Sequence, residues 1–296
     1  ATSTSGAAGH PVLVIPSLIN RSYILDLVEQ HSFLRFLASR GLRPLLIDWG
    51  TPGTAELERS LGDYISGDIS SALSVAVEIA GGRPVPIIGY CMGGTLAAGL
   101  AMLSPDQISA LVLLAAPWDF HVGTNGPPAA ITAGGAALEA MITTTGCLSV
   151  EALQSMFFSL DPLQGWTKFR AFADIPADDP AAESFVALED WLNDGVPLAA
   201  DVARECLFGW YGDNTPATGN WSVSGQIVDP ACIACPTLGI IPAQDRIVPP
   251  ASAQALINAI PGAESLSPQA GHIGMMVGRR AEAQLWRPLV DWLEAR

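Results

Sequence analysis

The sequence has very little positive charge. Among its 296 residues there is a single lysine, Lys168, and the formal net charge is −15. It has no run of basic residues, and such runs are what bind a phosphate backbone or an anionic membrane surface. We therefore expect no nucleic acid and no anionic membrane among its partners. A polyanionic substrate would need local arginines against this background.

Cysteine patterns typical of disulfide scaffolds are also absent. The five cysteines are odd in number and scattered over a large chain, which is typical of a cytosolic protein. Cys232 and Cys235 form a C-x-x-C pair, but a zinc site would also need a second pair or a nearby histidine. We interpret the pair as the lead into a strand near Pro236. We predict neither a metal nor a cofactor.

Targeting signals are missing as well. Residues 1–9 lack the basic and apolar regions of a signal peptide, so we expect a cytoplasmic protein. They also lack a starting methionine, which favours a trimmed N-terminus. An uncharged stretch at 84–105 is long enough to span a membrane. However, Pro84 and Pro86 lie at one end, four glycines interrupt the stretch and its side chains are small, so we predict no membrane span.

The same uncharged stretch contains a motif that carries chemistry. An apolar run at 85–88 leads into G-Y-C-M-G at 89–93, and a helix rich in Ala, Leu and Gly follows. G-x-C-x-G is the nucleophile-elbow pattern with cysteine in place of serine. Its glycines are needed where strand and helix nearly touch, and the nucleophile takes a strained backbone conformation. The helix N-terminus favours a thiolate at Cys91. The alternative is a glycine-rich turn around a buried, inert cysteine.

Apolar runs alternate with helical patterns along much of the chain. The runs predict buried strands at 11–16, 43–49, 85–88, 110–115, 236–241 and 263–266. Apolar periodicity predicts helices at 23–40, from 57 to the glycines at 81 and 82, after the elbow, and at 250–260 and 279–294. This alternation predicts an α/β fold with a mostly parallel sheet and helices on both faces.

The alternation stops between residues 118 and 229. Proline and glycine are frequent there, and the segment holds five of the eight tryptophans. We predict a mainly helical cap inserted at 118–229 into an α/β-hydrolase core formed by 1–117 and 230–296. The cap's aromatic side chains would either line a substrate entrance or pack the cap's own core.

An elbow nucleophile needs a base that takes its proton and a carboxylate that orients the base. In α/β-hydrolases the chain order is nucleophile, acid, histidine. Of the four histidines, only His272 follows the last predicted strand, and Asp245 ends the strand before it. A loop histidine or aspartate taken alone is more often solvated than catalytic. Together with the elbow, in this order, they predict a triad of Cys91, His272 and Asp245.

Two backbone N–H groups should form an oxyanion hole beside the triad. One belongs to Met92, the residue after the nucleophile. The other should come from the loop after the first strand, where Leu18 is the first choice and Ile19 the second. The alternative for that loop is a plain turn.

Cysteine at the elbow also bears on the reaction. A thioester exchanges onto a thiol at almost no thermodynamic cost, so the acyl group stays activated for a later attack by a hydroxyl. A serine ester would lie lower in energy. The cysteine therefore indicates acyl transfer from a thioester more than ester hydrolysis, although cysteine hydrolases exist.

Several segments resemble the polyhydroxyalkanoate synthase family. VLVIPSLINRSYILDL and the HSFLRFLASRG that follows it look like that family's opening strand, loop and helix. GYCMGG is similar to its cysteine lipase box, QDRIVPP to its Asp motif and SPQAGHIGMMVG to its His motif. The cap segment NDGVPL at 193–198 and the pair at 210–211 also resemble the family. The resemblance covers nearly the whole chain, with the family's usual N-terminal region absent or shortened.

The resemblance implies an α/β-hydrolase fold and a dimeric cytoplasmic enzyme on polymer granules, with the cap governing dimerisation and substrate entry. Such an enzyme polymerises (R)-3-hydroxyacyl groups from coenzyme A thioesters. Cys91 would hold the growing chain and His272 would deprotonate the thiol. Asp245 would either activate the incoming 3-hydroxyl or orient His272. Two alternatives stay open: a cysteine esterase or thioesterase, with water as the acceptor, and a non-catalytic partner protein that keeps the fold.

Overall fold

A parallel sheet of six strands forms the centre of the computed structural model, which describes residues 9–123, 126–160, 164–176 and 178–296. Its strands are β1 (His10–Ile15), β2 (Leu42–Leu46), β3 (Val85–Tyr90), β4 (Ile108–Leu114), β5 (Thr237–Ile240) and β6 (Glu264–Leu266). Their order across the sheet is β6-β5-β4-β3-β1-β2, and each neighbouring pair is parallel. The carboxyl ends of all six strands therefore meet at one edge.

Helices cover both faces of the sheet, which confirms the predicted α/β class. Three helices precede the segment 118–229: α1 (Phe33–Ser39), α2 (Leu61–Asp63 continuing through Tyr64–Ile69 and Ser70–Ile79) and α3 (Met92–Leu103). Three follow it: α9 (Pro250–Ala259), α10 (Gly274–Val277) and α11 (Glu282–Trp286 continuing through Arg287–Glu294). Alternate residues of β1 face opposite sides, as strand geometry requires. Leu13 packs in the core beneath α2 and α3, whereas Val14 packs in the core beneath α1 and α11.

The helix predicted at 23–40 is wrong in its first half. A single 3-10 turn, Ser22–Leu25, is followed by a two-stranded ribbon of Asp26–Val28 with His31–Ser32. Only then does α1 begin, because the Ser32 hydroxyl accepts the backbone N–H of Arg35 at 3.0 Å. Ribbon pairing and this N-cap satisfy the backbone groups that a longer helix would have used.

The helix predicted from residue 57 begins later for a similar reason. Ser60 and Asp63 form a capping box, in which each side chain accepts the backbone N–H of the other residue. These bonds satisfy N–H groups that have no partner within the helix, and so they set the start of α2 at Leu61. The last helix also begins later than predicted, at Glu282 rather than at residue 279.

Helices predominate in the segment 118–229. They are α4 (Ala129–Thr145), α5 (Val150–Leu160), α6 (Gln164–Phe172), α7 (Pro180–Asn193) and α8 (Ala200–Arg204 continuing through Glu205–Trp210). Two short antiparallel ribbons pair Cys147–Leu148 with Leu198–Ala199, and Ser222–Val223 with Gln226–Ile227. Two 3-10 turns lie outside the segment: Pro105–Gln107 after α3, and Pro230–Cys232 directly after the segment. We refer to this segment as the cap.

Four tryptophan side chains pack the cap against the core. Trp221 packs edge-on against Trp118 and Trp210, with ring centroids 5.9 Å and 5.4 Å apart. The Trp221 ring also lies over Gly99 of α3, the helix that follows the elbow. Trp191 is buried as well and donates its indole N–H to the Arg21 carbonyl at 2.7 Å. These four therefore act in packing.

Within the described ranges, none of the helices combines the length and the apolar character that crossing a bilayer requires. The uncharged stretch that follows Pro84 forms β3 and α3, both of which are buried inside the protein.

We expect Ser60→Ala to lower the free energy of unfolding by about 1 kcal/mol, because the substitution removes the capping hydroxyl. Urea unfolding followed by circular dichroism measures the change. Ser74→Ala is the matched control, since the Ser74 hydroxyl bonds only to the Ser70 carbonyl within α2. Equal effects of the two substitutions would show that the capping box does not stabilise the start of the helix.

Candidate active site

Cys91 is the single residue between β3 and α3, at the edge where the strands end. Its backbone has φ 55° and ψ −127°, a conformation that residues other than glycine rarely adopt. Two hydrogen bonds hold the turn: the Cys91 N–H donates to the Leu114 carbonyl at 2.8 Å, and the Gly94 N–H donates to the Cys91 carbonyl at 2.9 Å. The strained turn projects a half-buried thiol at the start of a helix.

The glycines on either side of Cys91 allow α3 to pass close to the sheet. A Cβ added at Gly89 would lie 2.5 Å from the Cα of Gly94. One added at Gly93 would overlap the carbonyl oxygen of Ile15, the last residue of β1. The steric reason for the G-x-C-x-G pattern is therefore the one that the sequence predicted.

Asp245 lies in the loop after β5 with its carboxylate buried. One carboxylate oxygen accepts the backbone N–H groups of Ile247 and Val248 at 2.9 Å and 2.8 Å. The other lies 2.7 Å from Nδ1 of His272. Three hydrogen bonds thus compensate the buried charge and fix the direction in which the carboxylate points.

His272 lies in the loop after β6 and is buried between Asp245, Cys91 and Tyr90. Its ring stacks on the Tyr90 ring, with centroids 5.2 Å apart and planes inclined by 30°. Asp245 engages Nδ1 of the imidazole, and the Cys91 side chain lies close enough to the ring to affect its pKa. The structure therefore brings together the three residues that the sequence singled out.

The charges around His272 favour its protonated form. Burial alone would lower the pKa of His272, but the negative charge of Cys91, together with hydrogen bonds to Asp245 and Cys91, raises it to about 10. Because this pKa lies above the ordinary value of 6.5, the contribution to stability is complete below pH 6.5 and is lost as the pH rises towards 10. Near neutral pH His272 is therefore an imidazolium.

The two backbone N–H groups predicted for an oxyanion hole belong to segments that meet at the elbow. Met92 is the first residue of α3, so its N–H has no partner within the helix. The contact of Gly93 with Ile15 brings the loop after β1, which contains Leu18, next to the elbow. The N–H of Ile19, the second choice, donates to the Ser17 hydroxyl at 3.1 Å and is thus already engaged.

Two tyrosines near the thiol were not predicted as part of the site. Tyr90 supports the imidazole face, and burial followed by the charges of Cys91 and Asp245 raises its pKa well above the ordinary value. Tyr211, which follows α8, packs edge-on against Phe120 at 4.9 Å. Burial of its hydroxyl and the charge of Cys91 raise the pKa of Tyr211 as well. No spacing signal in the sequence marks either residue.

The remaining histidine and cysteine candidates lie in other surroundings. Nε2 of His121 lies 3.0 Å and 3.1 Å from the carbonyl oxygens of Tyr211 and Gly212, which ties the start of the cap to the end of α8. Cys232 and Cys235 are free thiols. Within the described part of the chain, no group of three or more His, Cys, Asp or Glu side chains is arranged to hold a metal ion.

Comparison with known proteins places this geometry in a family. Residues 10–134 match the family model described as the alpha/beta hydrolase fold. The chain is 31% identical over 290 residues to poly(3-hydroxyalkanoate) polymerase subunit PhaC of Allochromatium vinosum, a match that covers 97% of this chain and 81% of the relative. The chain belongs to the poly(3-hydroxyalkanoate) polymerase family. The PhaC subunit of Synechocystis sp. is likewise 31% identical over 294 residues, covering 97% of this chain and 78% of the relative.

Solved structures agree on the fold of this polymerase-family chain. A non-heme bromoperoxidase BpoC from Mycobacterium tuberculosis superposes with a TM-score of 0.64 at 18% identity, covering 98% of this chain and 94% of that one. A thermophilic esterase from Thermogutta terrifontis gives 0.61 at 16% identity, covering 99% and 96%. At such identities the likeness shows the α/β-hydrolase fold alone.

We expect Asp245→Asn to lower the pKa of His272 by roughly one unit or more, because the isosteric amide removes the negative charge beside the imidazolium. Proton–nitrogen NMR of the imidazole resonances against pH measures the shift. Asp291→Asn serves as the control, since that carboxylate is exposed and paired with Arg40. A His272 titration that is the same in both variants would contradict the electrostatic account of the site.

Proposed function

We propose that this member of the polymerase family is an acyltransferase that polymerises (R)-3-hydroxyacyl groups from coenzyme A thioesters. The growing chain would be held on Cys91. One observation carries the proposal: the residue at the elbow is a cysteine, strained and half-buried at the strand ends, and the buried imidazole of His272 lies beside it. An enzyme of the acyltransferase or hydrolase kind fits both the fold and the relatives.

In the first step, the Cys91 thiolate attacks the thioester carbonyl carbon. The negative charge moves onto the carbonyl oxygen, where the N–H groups of Met92 and Leu18 would stabilise it. As the tetrahedral intermediate collapses, its carbon–sulfur bond to coenzyme A breaks, and protonated His272 gives its proton to the departing thiolate. The acyl group is then a thioester of Cys91, and His272 is neutral.

In the second step, neutral His272 takes the proton of an incoming 3-hydroxyl while the hydroxyl oxygen attacks the acyl carbon on Cys91. Breakdown of the intermediate forms an ester bond and releases the thiolate beside a protonated imidazole, which restores the starting state. Each cycle therefore consumes one thioester and lengthens the polyester by one unit. Water in place of the hydroxyl would instead give the free acid, which is the hydrolase outcome.

The buried position of Asp245 supports an orienting role for this residue. Both of its oxygens are engaged, one by two backbone N–H groups and the other by His272. A carboxylate in this state has no free face towards an incoming hydroxyl. We therefore assign proton abstraction to His272 and assign to Asp245 the choice of tautomer and the stabilisation of the imidazolium.

Membership of the polymerase family also suggests where the protein acts. We place it in the cytoplasm, at the surface of polymer granules, as a homodimer formed through the cap at 118–229. Large apolar side chains on successive cap helices support a contact surface there, with Trp166 of α6 exposed to 74% and Phe169 to 53%. Burial of such side chains against a second copy would remove apolar area from water.

We expect Cys91→Ala to lower coenzyme A release from 3-hydroxybutyryl coenzyme A by roughly a thousandfold or more, because no other group can hold the acyl chain. Adding His272→Ala should cost little further, since the two side chains act as one unit. Cys232→Ala, which removes an exposed thiol, should leave the rate unchanged.

The same reaction, separated into polymer and monomeric acid, identifies the acceptor. Polymer that accumulates in step with released coenzyme A would support the polymerase. Free hydroxyacid formed at the rate of coenzyme A release would overturn it in favour of a thioesterase.

We expect the wild-type protein to sediment as a dimer and Trp166→Ser with Phe169→Ser to sediment as a monomer. Val75→Ser is a matched control, because Val75 on α2 is also exposed to 53% but lies outside the cap. Sedimentation velocity at several protein concentrations distinguishes the two states. A monomeric wild-type protein, or a dimer that survives the double substitution, would rule out this surface as the dimer contact.

A further inference from the structure

A concave feature lies beside the loops that carry Asp245 and His272. Its volume is about 550 Å³, and it is lined by residues of the loops after β5 and β6 together with α10 and the start of α11. Gln244 and Gly271, the residues immediately before Asp245 and His272, both line it. The cavity therefore borders the loops of the proposed catalytic pair without containing either side chain.

The polar lining of this cavity is positive or neutral. Arg279 and Arg280 face it together with the carboxamides of Gln244, Gln269 and Gln284, and no aspartate or glutamate is among its described lining residues. All five side chains can donate hydrogen bonds. Such a lining is unusual in a chain of net charge −15 with 29 acidic residues.

The two arginines differ from most other arginines of the protein. Neither forms an ion pair with any residue that the structure describes, and both side chains are exposed. By contrast, seven other arginines are paired with carboxylates: Arg21, Arg35, Arg40, Arg59, Arg204, Arg287 and Arg296. Arg279 and Arg280 thus present two adjacent guanidinium groups whose charge is not already compensated.

We infer that this cavity binds the phosphate groups of the coenzyme A part of the substrate. Guanidinium groups match phosphate oxygens in a bidentate manner, and the three carboxamides add neutral donors. A polyanion approaching a strongly acidic protein is repelled unless a local positive patch offsets the field. The long pantetheine arm separates the phosphates from the thioester, so the two ends of the substrate can occupy different sites. This assignment rests on the proposed function.

The test compares two thioesters of the same acyl group. Hydroxybutyryl coenzyme A carries the phosphates, whereas hydroxybutyryl pantetheine lacks them. For Arg279→Gln with Arg280→Gln we expect KM for the coenzyme A thioester to rise roughly fivefold or more, with kcat unchanged. KM for the pantetheine thioester should stay the same. The rise should shrink at high salt, because the site is open to solvent.

Arg287→Gln is the matched control. It removes one positive charge from α11, the helix that follows the two cavity arginines, but Arg287 lies outside the cavity and is paired with Glu282. Its KM for both thioesters should equal that of the wild type. An equal rise of KM for the two thioesters in the cavity variant, or no rise for either, would refute the phosphate site.

Failure of the proposed function gives a different pattern. If the wild-type protein consumes neither thioester, the reaction is wrong, and binding of free coenzyme A is then measured by titration calorimetry. Binding to the wild type and to Arg287→Gln that is lost in the cavity variant would still support the site. Equal binding by all three proteins, or no binding by any, would overturn it.

Discussion

The close approach of α3 to the sheet is the constraint on which the rest of the site depends. Gly89 and Gly93 have no Cβ, so α3 can begin almost immediately after β3. Cys91, the one residue between the strand and the helix, must then adopt a strained conformation. That conformation puts the Cys91 thiol above the strand ends and leaves the Met92 N–H without an intrahelical partner. The thiol and the N–H group, which the proposed function uses as nucleophile and oxyanion donor, are thus two consequences of one steric condition. Hydrogen bonds to Leu114 and Gly94 hold the turn.

Burial then determines the electrostatics of the site. In a medium of low dielectric constant a lone charge is costly, so the protonated imidazole of His272 depends on the connected set that it forms with Asp245 and Cys91. Tyr90 closes the imidazole face and restricts its rotation. The set explains why the pKa of His272 rises although burial opposes its charge. Both oxygens of Asp245 are engaged within the protein and have no capacity left for a substrate.

Charged and apolar surfaces away from the thiol also fit the substrate and product of the proposed reaction. A reaction in which a polyanionic thioester delivers units to an apolar polyester needs positive charge on one side and apolar surface on another. The protein has an uncompensated pair, Arg279 and Arg280, beside the His272 loop, and exposed aromatic side chains on the cap. Trp118, Trp210 and Trp221 attach the cap to α3 rather than line a substrate entrance, so the elbow and the cap share one apolar core.

The sequence by itself indicated the α/β class, the elbow and the three side chains that meet at it, those of Cys91, Asp245 and His272. Apolar strand runs, glycine spacing and the chain order of α/β-hydrolases can all be read without coordinates. It misjudged the starts of the helices at 23 and 57, where the side chains of Ser32 and Ser60 cap the backbone against the apolar periodicity. Only the tertiary structure decided that Tyr90 faces His272, that Asp245 is fully engaged and that two arginines share a cavity with Gln244. Such contacts join residues far apart in the chain, and their geometry depends on how the loops pack at the sheet edge rather than on any spacing.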